Sequence, residues 1–127
     1  MSTVLAAHVF TALVVIGAIF QLALAVGMPW GTLTWGGRFP GRLPVYMRGV
    51  CIVSMFLLLA LALVVSIRAG VVLSDWLPIS RTLVWGVVAY SALGVVANAI
   101  TPSRWERIVW LPVAVLLLTC SMVVAAS

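Results

Sequence analysis

At 127 residues, with 65% hydrophobic side chains and only 7% charged ones, the chain has about a quarter of the charge that a soluble domain carries. No water-soluble fold could cover itself with so little, so the composition predicts one unit whose outer solvent is lipid. The formal charge of +5 comes from seven arginines, with no lysine, against Asp75 and Glu106. These arginines flank apolar runs, where guanidiniums snorkel to headgroups, and no basic patch is interleaved with aromatics, which argues against nucleic-acid binding.

Charged residues divide the chain into four apolar runs, each long enough for a spanning helix of about 20 residues. The first helix is predicted over residues 4–26, ending at the breaker Gly27-Met28-Pro29. Ala23-Leu24-Ala25 has the small-x-small form of a signal-peptidase site, but the run is long and lacks an N-terminal cation, so a retained helix is expected. A second helix over 46–67 holds 19 residues between Arg48 and Arg68, rising about 28 Å. The third is predicted over 80–100, stopping before Thr101-Pro102. The fourth, over 104–126, starts from Ser103 with Glu106 three residues on, the S-x-x-E capping box. The expected fold is therefore an all-α four-helix membrane bundle built as two helical hairpins. Cys51 and Cys120 fall at different depths and are not expected to pair.

Arginine counts set the expected orientation. The first and third connections hold Arg38, Arg42, Arg48, Arg104 and Arg107, and the second only Arg68 and Arg81. Five against two places both termini outside the cytoplasm of a plasma membrane, and arginine without lysine suggests a GC-rich bacterial source.

Residues 27–45 form the most unusual segment, with glycines, prolines, Trp30 and Trp35 among three nearby arginines. This composition predicts an interfacial loop and neither a helix nor an ordinary strand. Two readings remain open: a surface anchor that fixes depth through its tryptophans, or a lid whose glycine N–H groups and Arg38, Arg42 and Arg48 receive an anion such as a lipid phosphate. The topology sets this loop beside residues 98–110, which contribute Asn98, Arg104, Glu106 and Arg107. As the one acid among five arginines on this side, Glu106 is expected to pair with Arg48, Arg104 or Arg107. It starts a helix, shallower than a proton-coupling carboxylate normally lies.

Polar residues within the helices are few. Gly17 and Gln21, and the stripe Gly86, Tyr90, Gly94, Asn98, read first as helix-packing faces and second as the wall of a cavity with Gln21, Ser54 and Asn98 at one end. His8 has no second histidine near it, so neither a metal nor a cofactor site is expected. No nucleophile comes with a base and an orienting group, which leaves an enzyme unsupported.

The elements Pro29-Trp30-Gly31, Trp35-Gly36-Gly37, Leu43-Pro44 with Arg48, and Ser103-Arg104-Trp105-Glu106-Arg107 with Trp110 and Pro112 span most of the chain. On these residues it resembles a group of uncharacterised short bacterial four-helix integral membrane proteins. The resemblance implies the fold and brings no activity with it. Carboxylate-coupled small multidrug exporters and double-barrelled fluoride channels are poor matches. The expected function is non-enzymatic binding of membrane lipids, anionic headgroups among them, or of a membrane-protein partner at loops 27–48 and 98–110. The alternative is a small homodimeric transporter or channel subunit.

Overall fold

The computed structural model describes all 127 residues as an all-helical chain. Its four long helices are α1 (Thr3–Ala25), α2 (Val45–Arg68), α3 (Leu77–Ile100) and α4 (Arg104–Ala126). Each is long and apolar enough to cross a membrane. Twenty-three residues, the length of α1 and α4, rise about 35 Å, enough for a hydrocarbon core of about 30 Å.

Local chemistry sets the helix ends. Ser2 caps α1, its Oγ accepting from Leu5 N–H at 3.1 Å. Gly27, at φ +103°, lets α1 close in a Schellman turn: Met28 N–H donates to Ala23 O and Gly27 N–H to Leu24 O. Such a reversal strongly favours glycine. α3 begins three residues before its predicted start, because Pro78 in its first turn needs no helical acceptor and has its φ already set. It ends at Thr101 (φ −59°, ψ 138°), since the following Pro102 disfavours a helical conformation there. Ser103 Oγ accepts from Glu106 N–H at 3.3 Å, which makes half of the predicted capping box.

α1 packs chiefly against α2, and α3 against α4, giving the two predicted hairpins. The hairpins meet along α1–α4 and α2–α3, which closes a four-sided up-and-down bundle. The end with both termini is densely filled: Phe10, Val14, Val65, Val84, Val87, Cys120 and Val124 form one buried cluster. Arg68 donates to the Ser127 carbonyl at this end. A smaller cluster of Leu24, Leu43, Met47 and Cys51 seats residues 38–44 against α1 and α2. Both cysteines are free and buried, one in each cluster.

The glycine stripe on α3 is not a close-packing face. A Cβ placed on Gly86 or Gly94 would meet nothing within 4 Å, whereas one on Gly17 would touch Leu58 at 3.5 Å. Small residues permit approach, but which helix faces approach depends on how each helix is rotated about its axis.

Candidate functional site: a roofed cavity at the loop end

The glycine-rich first connection folds back onto the bundle. It contains two single 3₁₀ turns, Gly31–Leu33 and Trp35–Gly37. Gly31 N–H donates to Gly41 O at 2.9 Å and pins the two ends of the loop together. The approach admits only glycine, because a Cβ there would lie 1.7 Å from Phe39 O. Trp35, Gly36 and Gly37 all have positive φ. This run turns the Gly36 N–H toward α4, where it donates to Glu106 Oε2 at 2.8 Å. Ser103 Oγ donates to Thr32 O beside it.

Glu106 therefore does not make the ion pair expected from its surroundings; its carboxylate grips the loop backbone. The arginines take other partners. Arg48 Nε donates to Ala25 O at 2.8 Å, and Arg107 Nη1 to Thr101 O at 3.1 Å. Arg42 and Arg48 gather over Gly27, since a Cβ there would fall 2.6 Å from Arg42 Nη2 and 3.2 Å from Arg48 Nη2. Like charges collect at this point because the C-terminal carbonyls of α1 carry the negative end of the helix dipole.

The predicted anion cradle in the loop is also not formed. The N–H groups of Gly31, Gly36 and Gly37 go to Gly41 O, Glu106 and Thr34 O, so the anion bound by this backbone is the chain's own carboxylate.

Beneath the loop the four helices enclose a cavity of about 640 Å³. Its roof is Leu33, Thr34, Trp35, Gly36 and Arg38, and its walls include Gln21, Ser54, Gly94, Asn98, Glu106 and Trp110. Phe10, Val14 and Leu117 line it where it meets the terminal cluster. Trp35, Arg38, Tyr90, Ala97, Ile100 and Pro102 are lining residues that remain exposed. The cavity is therefore open along α3, beneath the loop. Such a volume is typical of a small-molecule site.

The cavity wall has polar groups of two kinds. Asn98 is satisfied within its own helix, its Nδ2 donating to Gly94 O at 2.7 Å. Gln21 Oε1 and Trp110 Nε1 are buried without a hydrogen-bond partner. The Trp110 ring lies 4.8 Å from that of Phe20, which also faces Trp30 at 6.2 Å with near-parallel planes.

Of the nine residues predicted from sequence, Trp35, Arg38, Asn98 and Glu106 line this cavity. Trp30 supports it from behind through Phe20. Arg42 and Arg48 lie over the end of α1, and Arg104 and Arg107 are exposed. Sequence reasoning missed Trp110 as a cavity group, although a tryptophan six residues into a membrane helix lies deeper than the usual interfacial ring. It also missed Gly36 as the partner of Glu106, for which the sequence carries no signal. No family model, curated protein or solved structure matches the chain.

Proposed function

We propose that this protein is a non-catalytic lipid-binding protein of a bacterial plasma membrane, holding one membrane amphiphile in the cavity beneath its first loop. The cavity carries the reading. It opens toward the surrounding lipid along α3, its wall is mostly apolar, and Arg38 offers a cation at the rim for an anionic headgroup. The dense cluster at the terminal end supports a holding role over a through-path. The segments that prompt the family resemblance, Trp35-Gly36-Gly37 and Ser103–Arg107, meet at the cavity roof.

Native mass spectrometry of protein extracted gently from its membrane tests this. The expected result is one retained lipid per chain in the wild type and none in Gly94→Leu, whose side chain grows into the cavity. Equal retention by the two proteins, or none by the wild type, refutes the reading. We further propose that the loop end faces the cytoplasm and both termini lie outside, on the five-to-two arginine asymmetry. A cysteine at Thr34 should then resist impermeant thiol reagents in intact cells, and rapid labelling would reverse the orientation.

A further inference from the structure

Outside the cavity, we propose a second lipid site: a groove between α1 and α2 at the loop end that holds a phospholipid of net negative charge, its phosphate gripped by Arg42 and Arg48. Gly27 marks the place. Arg42 Nη2 and Arg48 Nη2 lie 2.6 and 3.2 Å from the point where a Cβ on this glycine would stand. The two nitrogens are therefore within about 6 Å of each other, a gap that one phosphate closes by accepting from each at ~2.8 Å. Arg48 is fixed by the bond from its Nε to Ala25 O, which leaves both of its Nη atoms to donate elsewhere.

Two like charges this close call for an anion, and the chain supplies none. Glu106 bonds Gly36 N–H, and Asp75 lies between α2 and α3 at the opposite end of the bundle. The carbonyl end of α1 offers roughly half a negative charge against two full positive ones. Arg48 is in the first turn of α2 and Gly27 just past the end of α1. Helices of this length exceed the hydrocarbon core, so the pair lies at the level of lipid headgroups.

Beside it runs a groove of about 450 Å³ lined by Ala25, Val26, Val45, Arg48, Gly49 and Ile52, none of which lines the cavity. Apart from Arg48 this lining is apolar or glycine, and a Cβ on Gly49 would meet nothing within 4 Å. A soluble phosphate would leave that floor uncovered, whereas an acyl chain covers it. A choline or ethanolamine headgroup would bring an ammonium beside two guanidiniums, so the site favours headgroups without a cation. Val26 and Val45 are exposed, so this lipid exchanges with the bilayer and is counted there, not in extracted protein.

The test places a bimane fluorophore on the full chain in phosphatidylcholine nanodiscs doped with a doxyl-labelled lipid. The label goes at Val53→Cys, one turn along α2 from Gly49, or at Leu116→Cys on α4; both sites are exposed, and the native cysteines are buried. Doxyl phosphatidylglycerol should quench the Val53 probe with about tenfold higher apparent affinity than doxyl phosphatidylcholine. The Leu116 probe should distinguish the two lipids little. Arg42→Gln should remove most of the preference at Val53, and so should Gly49→Leu, which keeps both arginines and fills the groove. Both positions are exposed, so the variants should fold. Equal quenching by the two lipids at Val53 in the wild type overturns the proposal. So does a preference that survives Gly49→Leu, which would be attraction by surface charge alone. Absent selectivity, with a melting temperature raised by inorganic phosphate in the wild type and not in Arg42→Gln, would give the pair to a soluble phosphate and overturn the lipid. None of these outcomes bears on the cavity.

Discussion

At the terminal end of the bundle Phe10, Val65, Val84 and Val124 fill the space between the helices, while at the loop end the same four helices stand around about 640 Å³ of open volume. The two ends differ in the polarity of the side chains that face inward. Branched apolar residues meet across the first, and Gln21, Ser54, Gly94 and Asn98 line the second. Lipid offers little hydrophobic drive for helix association, so packing holds membrane helices together and a hollow end is weak unless something else joins it. Here the loop joins it, with the Gly36–Glu106 and Thr32–Ser103 bonds tying the first connection to the start of α4. The terminal end thus provides cohesion, and the loop end keeps open a space the helices do not fill.

The largest expected difference between the ends is in truncation. Phe10→Ala should cost about 3–5 kcal/mol, read by reversible unfolding in mixed micelles, because Phe10 is buried at the base of the terminal cluster. Val113→Ala on the cavity wall should cost under about 1 kcal/mol. Similar losses at both positions would erase the contrast.

Next is Gly31→Ala, which forces a Cβ against Phe39 O. It should cost at least about 2 kcal/mol and make residues 31–42 sensitive to protease while the terminal end stays folded. A loop still resistant to cleavage would show that the roof does not depend on the Gly31–Gly41 contact.

Glu106→Ala should cost about 2 kcal/mol and Glu106→Gln about 1, since the amide keeps an acceptor for Gly36 N–H but loses the charge. Combining Glu106→Ala with Arg48→Ala sharpens the assignment. The two residues bond different partners, Gly36 N–H and Ala25 O, so their effects should add within about 0.5 kcal/mol. A larger coupling would restore the direct ion pair. The smallest change in stability is expected for Gly94→Leu, a gain of roughly 0.5–1 kcal/mol from helix propensity. Because the cavity has room for the new side chain, stability should rise as lipid retention falls; a loss of stability would mean that the wall is packed.

The helices were legible because hydropathy and end chemistry are local. Arg48 and Arg68 bracket the apolar run of α2, Gly27 ends α1, and Ser103 begins α4, each through neighbours within a few residues. The helix bounds follow the sequence closely, except that α3 starts three residues earlier, with Pro78 in its first turn. The arginine-rich connections were rightly expected to meet, since two hairpins must bring the first and third connections to one end. Partner choice within that end was not legible. Charge pattern favoured an arginine for Glu106, and the fold gave it a glycine N–H, because three successive left-handed residues aim that amide at α4.

The sequence by itself determined four apolar helices, their boundaries, their pairing into hairpins and the end at which unusual residues collect, since each follows from composition or spacing along the chain. Only the tertiary structure decided that Gln21, Ser54, Asn98 and Trp110 face one cavity and that Gly86 and Gly94 face open space. Those outcomes depend on the rotation and lateral placement of each helix relative to the other three. In a chain apolar on nearly every face, hydropathy does not fix that rotation, and the packing of particular side chains does.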